Sequence, residues 1–248
     1  MALPAELSRA LDVVAVTPRL LVVSDFDGTL APIVNDPAAA RALPAAADAL
    51  LSLAECPSTT VALVSGRALA VLRELSAMPA VVHLIGSHGA EFAEGFTHDV
   101  DEAKLARVTA ELRKIAAEHR GVTIEAKPAS VALHVRNADA AHGESALAAA
   151  RTAAQGWDVE TTEGKAVIEF AVITTGKGEA VDVLRDQVAA TAVVFLGDDV
   201  TDEKAFHRMR DSDIGIKVGP GDTAAGFRVD SPEDVAEVLA QLCAARHS

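Results

Sequence analysis

Leu20-Leu21-Val22-Val23-Ser24-Asp25-Phe26-Asp27-Gly28-Thr29-Leu30 decides the fold. An apolar, β-prone run ends in two carboxylates one residue apart, followed by a glycine and a hydroxyl. This is the pattern of a buried strand that delivers acidic groups to its carboxyl end, the edge at which open α/β sheets hold ligands. Two aspartates so close repel each other unless a cation or a proton intervenes. The segment therefore points to a divalent metal, a shared proton, or both. Phosphoryl transfer to an aspartate uses all of these parts.

Working outward, strand and helix alternate on either side of this segment. Leu20–Ser24 reads as a strand, Pro44–Glu55 as a helix, Thr59–Val64 as a strand, Ala68–Leu75 as a helix and Val81–Ile85 as a strand. Short apolar strands alternating with helices predict a parallel sheet covered on both faces. The rhythm then changes. Asp101–His119 is a periodic helix with Leu105, Val108, Leu112 and Ile115 on one face. Candidate strands follow at Val122–Ala126 and Val131–Val135, then an alanine-rich helix over Asp139–Gln155. Two more strands are expected at Trp157–Glu160 and Val167–Val172, with a turn at Glu163-Gly164-Lys165. Helix-strand-strand-helix-strand-strand predicts a small antiparallel sheet with helices on one side. The first pattern resumes with a helix over Lys177–Val188, a strand at Ala192–Leu196, a helix over Asp202–Met209 and a strand at Asp213–Lys217. A last helix starts from Ser231, with Pro232 at its first position and Asp234 at the capping-box spacing. The expected fold class is α/β: a doubly wound parallel-sheet core, residues 1–95 and 174–248, carrying an inserted smaller α+β cap domain, residues 96–173.

The composition narrows the function. Of 248 residues half are hydrophobic, enough for a sizeable core. The net charge of −14 argues against nucleic acid and against anionic lipid, both of which need clustered Lys and Arg. It does not exclude a phosphate ester, since a bound dication and a few bases can reverse the local field. Seven Phe, one Trp and no Tyr leave little for base stacking or an aromatic sugar platform. Cys56 and Cys243 form no metal pattern and read as two ordinary thiols of a reducing compartment, with a long-range disulfide as the alternative. Neither a signal peptide nor a membrane span is legible, so a soluble, cytoplasmic chain is expected, and a monomer.

Four polar clusters stand in order at expected strand ends or helix starts: Asp25-Phe26-Asp27-Gly28-Thr29, Val64-Ser65-Gly66-Arg67, Gly176-Lys177-Gly178, and Gly197-Asp198-Asp199-Val200-Thr201-Asp202-Glu203. Each alone has an ordinary explanation. An Asp-x-Asp is most often a loop or cap, Ser-Gly a turn, and a lone lysine a solvated helix residue. Together they resemble the four motifs of the haloacid dehalogenase superfamily of phosphatases. That resemblance implies Mg2+ as cofactor and assigns roles. Asp25 is the nucleophile and gives one oxygen to magnesium with Asp198. Asp27 gives its backbone carbonyl to the metal, and its side chain is left free as general acid and base, which requires a proton at the start. Ser65 and Lys177 hold the phosphoryl oxygens. Gly28, Thr29, Gly66, Arg67, Asp199 and Asp202 surround the phosphate and the metal's waters.

Specificity falls to the insert. Glu125 and Lys127 lie two residues apart, and so share one side of a strand. Glu169 on a later strand can join them. Ionised groups aimed at one surface suit a polyhydroxyl sugar through charge-assisted hydrogen bonds, although a solvated strand face is an equally ordinary origin for the first two. The set Gly86-Ser87-His88-Gly89-Ala90-Glu91, Glu125-Ala126-Lys127-Pro128, His134-Val135-Arg136, and Glu169 eight residues before Lys177 resembles the trehalose-6-phosphate phosphatase family. The resemblance implies a sugar phosphate as small-molecule partner. It assigns Glu125, Lys127 and Glu169 to the sugar distal to the phosphate, with His88 and Glu91 as further candidates. Where that family commonly has Arg-Pro, Ala171-Val172 stand here. His134 is open between a core role and a substrate contact. The rivals are another phosphatase of the superfamily, acting on sucrose phosphate, a mannosyl-glycerate phosphate or a hexose phosphate, and a non-catalytic phosphate receiver or binding module. Cap movement is expected, with hinges near Phe92–Gly95 and Thr174–Gly176.

Overall fold

The computed structural model describes residues 3–164, 166–173 and 175–247. The chain divides into two compact units, residues 1–95 with 175–248, and residues 96–174. Thr174, named above as a hinge residue, and Lys165, named in a turn, lie outside the described residues.

The first unit is a doubly wound α/β sandwich. Its helices are α1 (Ala5–Ala15), α2 (Pro44–Glu55), α3 (Leu69–Ser76), α6 (Lys177–Val188), α7 (Val200–Phe206) and α8 (Pro232–Arg246). Its parallel sheet contains β1 (Leu20–Ser24), β2 (Thr59–Val64), β3 (His83–Ile85), β10 (Ala192–Gly197), β11 (Ile214–Val218) and β12 (Phe227–Val229), in the order β12-β11-β10-β1-β2-β3. A small hairpin, β4 (Glu91–Phe92) with β5 (Gly95–Phe96), follows β3. Every residue of β1 and β10 is buried, because helices cover both faces. The period of two divides β1 between two cores. Leu20 and Val22 pack with Leu7, Leu11, Leu50, Leu53, Leu239 and Leu242 from α1, α2 and α8, while Leu21 and Val23 pack with Val181, Leu184 and Phe206 from α6 and α7. β1 lies at the topological switch point, with later strands β2 and β10 on its two sides in matching register, Ser24 opposite both Leu63 and Leu196. In open α/β sheets such a switch point is where ligands bind, outside the carboxyl ends of the strands.

The second unit holds α4 (Glu102–Glu118) and α5 (Ala140–Ala154) on an antiparallel sheet of β6 (Thr123–Ala126), β7 (Ser130–His134), β9 (Val167–Ala171) and β8 (Glu160–Gly164), ordered β6-β7-β9-β8. Val108, Leu112, Val131, Leu133, Ala146, Ala150, Ile168 and Phe170 form its core. Since Ile168 and Phe170 face the helices, Glu169 between them faces away.

Three expectations are corrected. The strand placed at Trp157–Glu160 instead runs Glu160–Gly164. Trp157 closes the end of α5 through its amide and packs edge-on against Phe170, ring centres 5.3 Å apart. The helix placed over Asp202–Met209 begins at Val200, because Asp199 caps it and Asp202 returns the bond as the other half of a capping box. The strand placed from Asp213 begins at Ile214, because the Asp213 amide closes a turn onto the Arg210 carbonyl, while its carboxylate forks with Arg185 and accepts from the amides of Val193 and Arg210. Helix α1 was not foreseen, although Leu7, Leu11 and Val14 have helical spacing. Among the described residues no helix is long and apolar enough to cross a membrane.

The Arg185–Asp213 pair is 2.5 Å long and nearly inaccessible at both side chains. Breaking it strands a buried guanidinium. Asp213→Ala is expected to cost about 3–5 kcal/mol, read as a lower urea midpoint with an unchanged m-value.

Candidate active site

Asp25 follows β1 directly. Its amide continues the ladder to the Leu196 carbonyl, 2.9 Å away, which fixes the residue at the sheet edge. The side chain is buried, and its Oδ1 lies 3.1 Å from the Nζ of Lys177, the first residue of α6. The same ammonium is 2.8 Å from Asp202 Oδ1, with Lys177 and Asp202 both essentially inaccessible. Asp202 spends its second oxygen on the amides of Asp198 and Asp199, each at 3.0 Å. Asp199 accepts from the amide and hydroxyl of Thr201. Lys217, buried at the end of β11, donates to the Asp198 carbonyl. The Asp198 carboxylate stands against Gly28, where φ is +79° and a Cβ would fall 2.1 Å from Asp198 Oδ2. Glycine is required there on both counts.

The charges are unbalanced. Carboxylate oxygens of Asp25, Asp198 and Asp202 lie within 4.8 Å of one another. Burial, together with Asp202, Asp198 and Asp199, raises the Asp25 carboxyl well above its ordinary value despite Lys177. Burial and the Asp202 and Asp199 charges push Asp198 up to about 6. Asp202 is raised, by burial first, against the pull of Lys177. Asp199 is lowered: burial opposes this, but Lys177 and the Thr201 hydrogen bonds outweigh it. For Lys177, burial disfavours the ammonium, yet Asp202, Asp25 and Asp199 more than compensate and raise it. An excess of negative oxygen around Lys177, with Lys217 turned to a backbone carbonyl, is the donor chemistry of a hard dication. Since Asp202 is committed to Lys177 and two amides, Asp25 and Asp198 are the carboxylates left to hold one. Thr29 Oγ1, also buried, has no hydrogen-bond partner among the described residues, leaving a polar atom for a ligand or water to satisfy.

Around this centre, Ser65 follows β2, is buried, and accepts from the Arg67 amide. His88 has φ +57° and donates its amide to the Ser65 carbonyl, its ring covering Gly66 so closely that a Cβ there would lie 2.4 Å from Cε1. Glu91 Oε2 accepts from the amide of Leu69, the first residue of α3, and from Ser87 Oγ, so that oxygen serves the loop. Asp27 differs from expectation. Its side chain is not free: both oxygens accept from the Arg67 guanidinium at 2.6 Å.

In the second unit, the register sets Glu125 opposite Ala132 and Ala132 opposite Glu169, one row across the sheet. Lys127 lies 2.8 Å from Glu169 Oε2, and Ser130 Oγ donates to Oε1 at 2.6 Å. His134 Nε2 is 3.0 Å from Glu125 Oε2, and this bond, against partial burial, lowers the Glu125 carboxyl. Two residues were missed by sequence reasoning. Ser130 had no signal beyond its turn. Lys217, a lysine closing the apolar run Ile214-Gly215-Ile216, had one.

A sequence profile described as trehalose-phosphatase matches residues 23–233. The chain belongs to the trehalose-phosphatase family. It is 39% identical over 244 residues to a trehalose-phosphate phosphatase of Mycobacterium marinum, the match covering 91% of this chain and 62% of the relative. A Mycobacterium tuberculosis trehalose-phosphate phosphatase is 38% identical over 240 residues, covering 89% and 60%. The chain thus spans about three fifths of these relatives' length. Among solved structures, the C-terminal domain of a C. albicans trehalose-6-phosphate phosphatase aligns over 98% of both chains with TM-score 0.82 and 25% identity. Membership of the trehalose-phosphatase family implies a divalent metal, and the Asp25–Asp198 oxygens fit one.

Two outcomes follow. Because Asp198, Asp25 and Asp202 bind protons more tightly folded than unfolded, stability of the metal-free chain is expected to fall as pH rises from 3.8 to about 6, as Asp198 ionises. Adding a divalent salt above that range should recover it, seen as a rise in Tm. Gly28→Ala, which places a methyl against Asp198, is expected to abolish that metal-induced rise.

Proposed function

We propose that the chain is a magnesium-dependent phosphatase that hydrolyses trehalose 6-phosphate to trehalose and phosphate through an aspartyl-phosphate. The observation that carries this is Asp25, buried at the switch point with one oxygen against Lys177 and Asp198 beside it. Asp25 attacks the phosphorus. A carboxylate oxygen–phosphorus bond forms as the ester oxygen departs, and the leaving alkoxide takes a proton from Asp27. Arg67 must first give up one prong of its fork. Asp27, then ionised, removes a proton from water, which attacks phosphorus and releases inorganic phosphate with Asp25 restored. Lys177 and the Ser65 hydroxyl bind the phosphoryl oxygens, and Asp202 keeps Lys177 in place. Asp25, Asp198 and the Asp27 carbonyl would hold magnesium, which would supply charge neutralisation at the phosphoryl group. Phosphoryl transfer needs chiefly such positioning and neutralisation.

Glu125, Lys127 and Glu169 are proposed to bind sugar hydroxyls. The common row of Glu125 and Glu169 on the sheet face opposite α4 and α5 supports this, with Lys127, just past the end of β6, paired to Glu169 and with Ser130 and His134 preordering the two carboxylates. The residues 1–95 with 175–248 form the catalytic domain in this proposal, and 96–174 the specificity domain.

The test is a panel of sugar phosphates assayed with and without magnesium. Hydrolysis of trehalose 6-phosphate should far exceed that of glucose 6-phosphate or sucrose phosphate, stop with a chelator, and vanish in a folded Asp25→Asn variant. Equal rates across the panel would contradict the substrate, and chelator-resistant turnover the metal. Lys127→Ala should lower kcat/KM for trehalose 6-phosphate by about 10–100-fold, the range of one charge-assisted hydrogen bond, while leaving an aryl phosphate nearly unaffected. Equal losses would remove Lys127 from sugar selection.

A further inference from the structure

The first unit assembles a second cluster of metal-ligating side chains, at the far ends of α2 and α8. Cys56 terminates α2, and Cys243 and His247 stand one helical turn apart at the end of α8. One ligand atom from each, two sulfurs and a ring nitrogen, lies within 4.8 Å of the other two. Cys56 Sγ is 3.6 Å from His247 Nδ1 and 3.7 Å from Nε2, and Cys243 Sγ is 3.6 Å from Nδ1. A tetrahedral ion with bonds of about 2.3 Å to sulfur and about 2.0–2.1 Å to nitrogen sets neighbouring sulfur and nitrogen about 3.6 Å apart. The three donors are therefore gathered at the scale of such a shell, and a turn of the imidazole is what would aim one nitrogen between the two sulfurs, since Cys56 Sγ stands nearly equidistant from both ring nitrogens. His247 Nδ1 is also 2.9 Å from the Cys243 carbonyl. With the proton on Nδ1, the ring donates to that carbonyl, and Nε2 is the nitrogen left to turn toward the sulfurs as ligand, with the backbone acceptor that metal-bound histidines commonly use.

The cluster is built without an ion. Arg246 donates to the carbonyls of Ala15, Thr17, Pro57 and Ser58 and to Thr59 Oγ1, tying the end of α8 to the loop that follows Cys56. Leu50 and Leu53 pack with Leu239 and Leu242 in the same core. Both segments that bear ligands are thus fixed in place. Both thiols are free. Burial and the neighbouring Cys243 push the Cys56 thiol up to about 11. A third donor, the imidazole, is what a simple disulfide pair does not need.

We propose that Cys56, Cys243 and His247 bind one soft divalent ion of the zinc type, through two thiolates and an imidazole, with water in the fourth position. Binding displaces the two thiol protons to solvent, with no change of oxidation state. Sulfur donors separate this ion from the hard dication of the acidic site. The ion clips the end of α8 to the end of α2.

The test uses the full chain without an affinity tag, reduced, stripped of metal, and titrated with cobalt(II) in excess magnesium. One equivalent should produce a thiolate-to-cobalt charge-transfer band that one equivalent of zinc bleaches. Cys243→Ser, at a half-buried position, should retain its circular dichroism, lose about half the band, and bind cobalt at least about tenfold more weakly. His247→Ala should weaken binding while keeping a two-thiolate band at saturating cobalt. Asp25→Asn should keep the full band, which separates this site from the acidic one. Zinc should raise Tm in the parent chain and not in Cys243→Ser. Absence of the band while two thiols react as free would overturn the proposal. So would a chain that takes no cobalt when reduced but forms a Cys56–Cys243 disulfide on mild oxidation, which would make the cluster a redox pair.

Discussion

The buried ammonium of Lys177 organises the acidic edge of the sheet. Lys177 lies between Asp25 and Asp202, and Asp202 in turn grips the amides of Asp198 and Asp199. Three chain segments, the end of β1, the start of α6 and the β10–α7 turn, are thereby bound to one point. A buried ion pair alone is weak evidence for stability, since desolvation offsets most of its attraction. Here the pair does not even balance. One ammonium faces several carboxylates, and the raised Asp25 and Asp198 carboxyls record the residual repulsion. The fold holds this imbalance in place, and a dication removes it.

The two units solve the placement of charge differently. In the first, every residue of the central strand is buried, so polar chemistry can stand only where strands end, and Asp25, Ser65 and Asp198 all follow strands β1, β2 and β10. In the second, one sheet face is covered by α4 and α5 and the other carries Glu125 and Glu169 in a row. Polar groups there occupy the middle of strands, with Ser130 and Lys127 restraining Glu169 and His134 restraining Glu125.

The core and its four clusters were legible because each depends on local sequence. Apolar runs ending in acids mark buried strands, and β1, α2, β2 and α6 begin where expected. Side-chain partners across the fold were not. That Arg67 forks onto Asp27, forty residues away, follows from the placement of β1 beside β2 and has no local trace. Asp213 was misplaced because its amide closes a turn onto the Arg210 carbonyl and its carboxylate serves Arg185, Val193 and Arg210, partners with no local signature. The Asp199–Asp202 pair reads as an acidic cluster and as a capping box at once, and only the first was recognised. Cys56 and Cys243 looked like unrelated thiols because nothing local tells that α2 and α8 pack with their ends together.

The central claim is that phosphorus becomes covalently attached to the Asp25 side chain during turnover. Its most direct measurement is acid quenching of the working enzyme within milliseconds of mixing with trehalose 6-phosphate, followed by peptide mass spectrometry. The account predicts a phosphate-mass adduct on the peptide containing Asp25 and Asp27, localised to Asp25 and absent from Asp25→Asn. Rapid turnover with no adduct at any quench time, or an adduct on another residue, would contradict it.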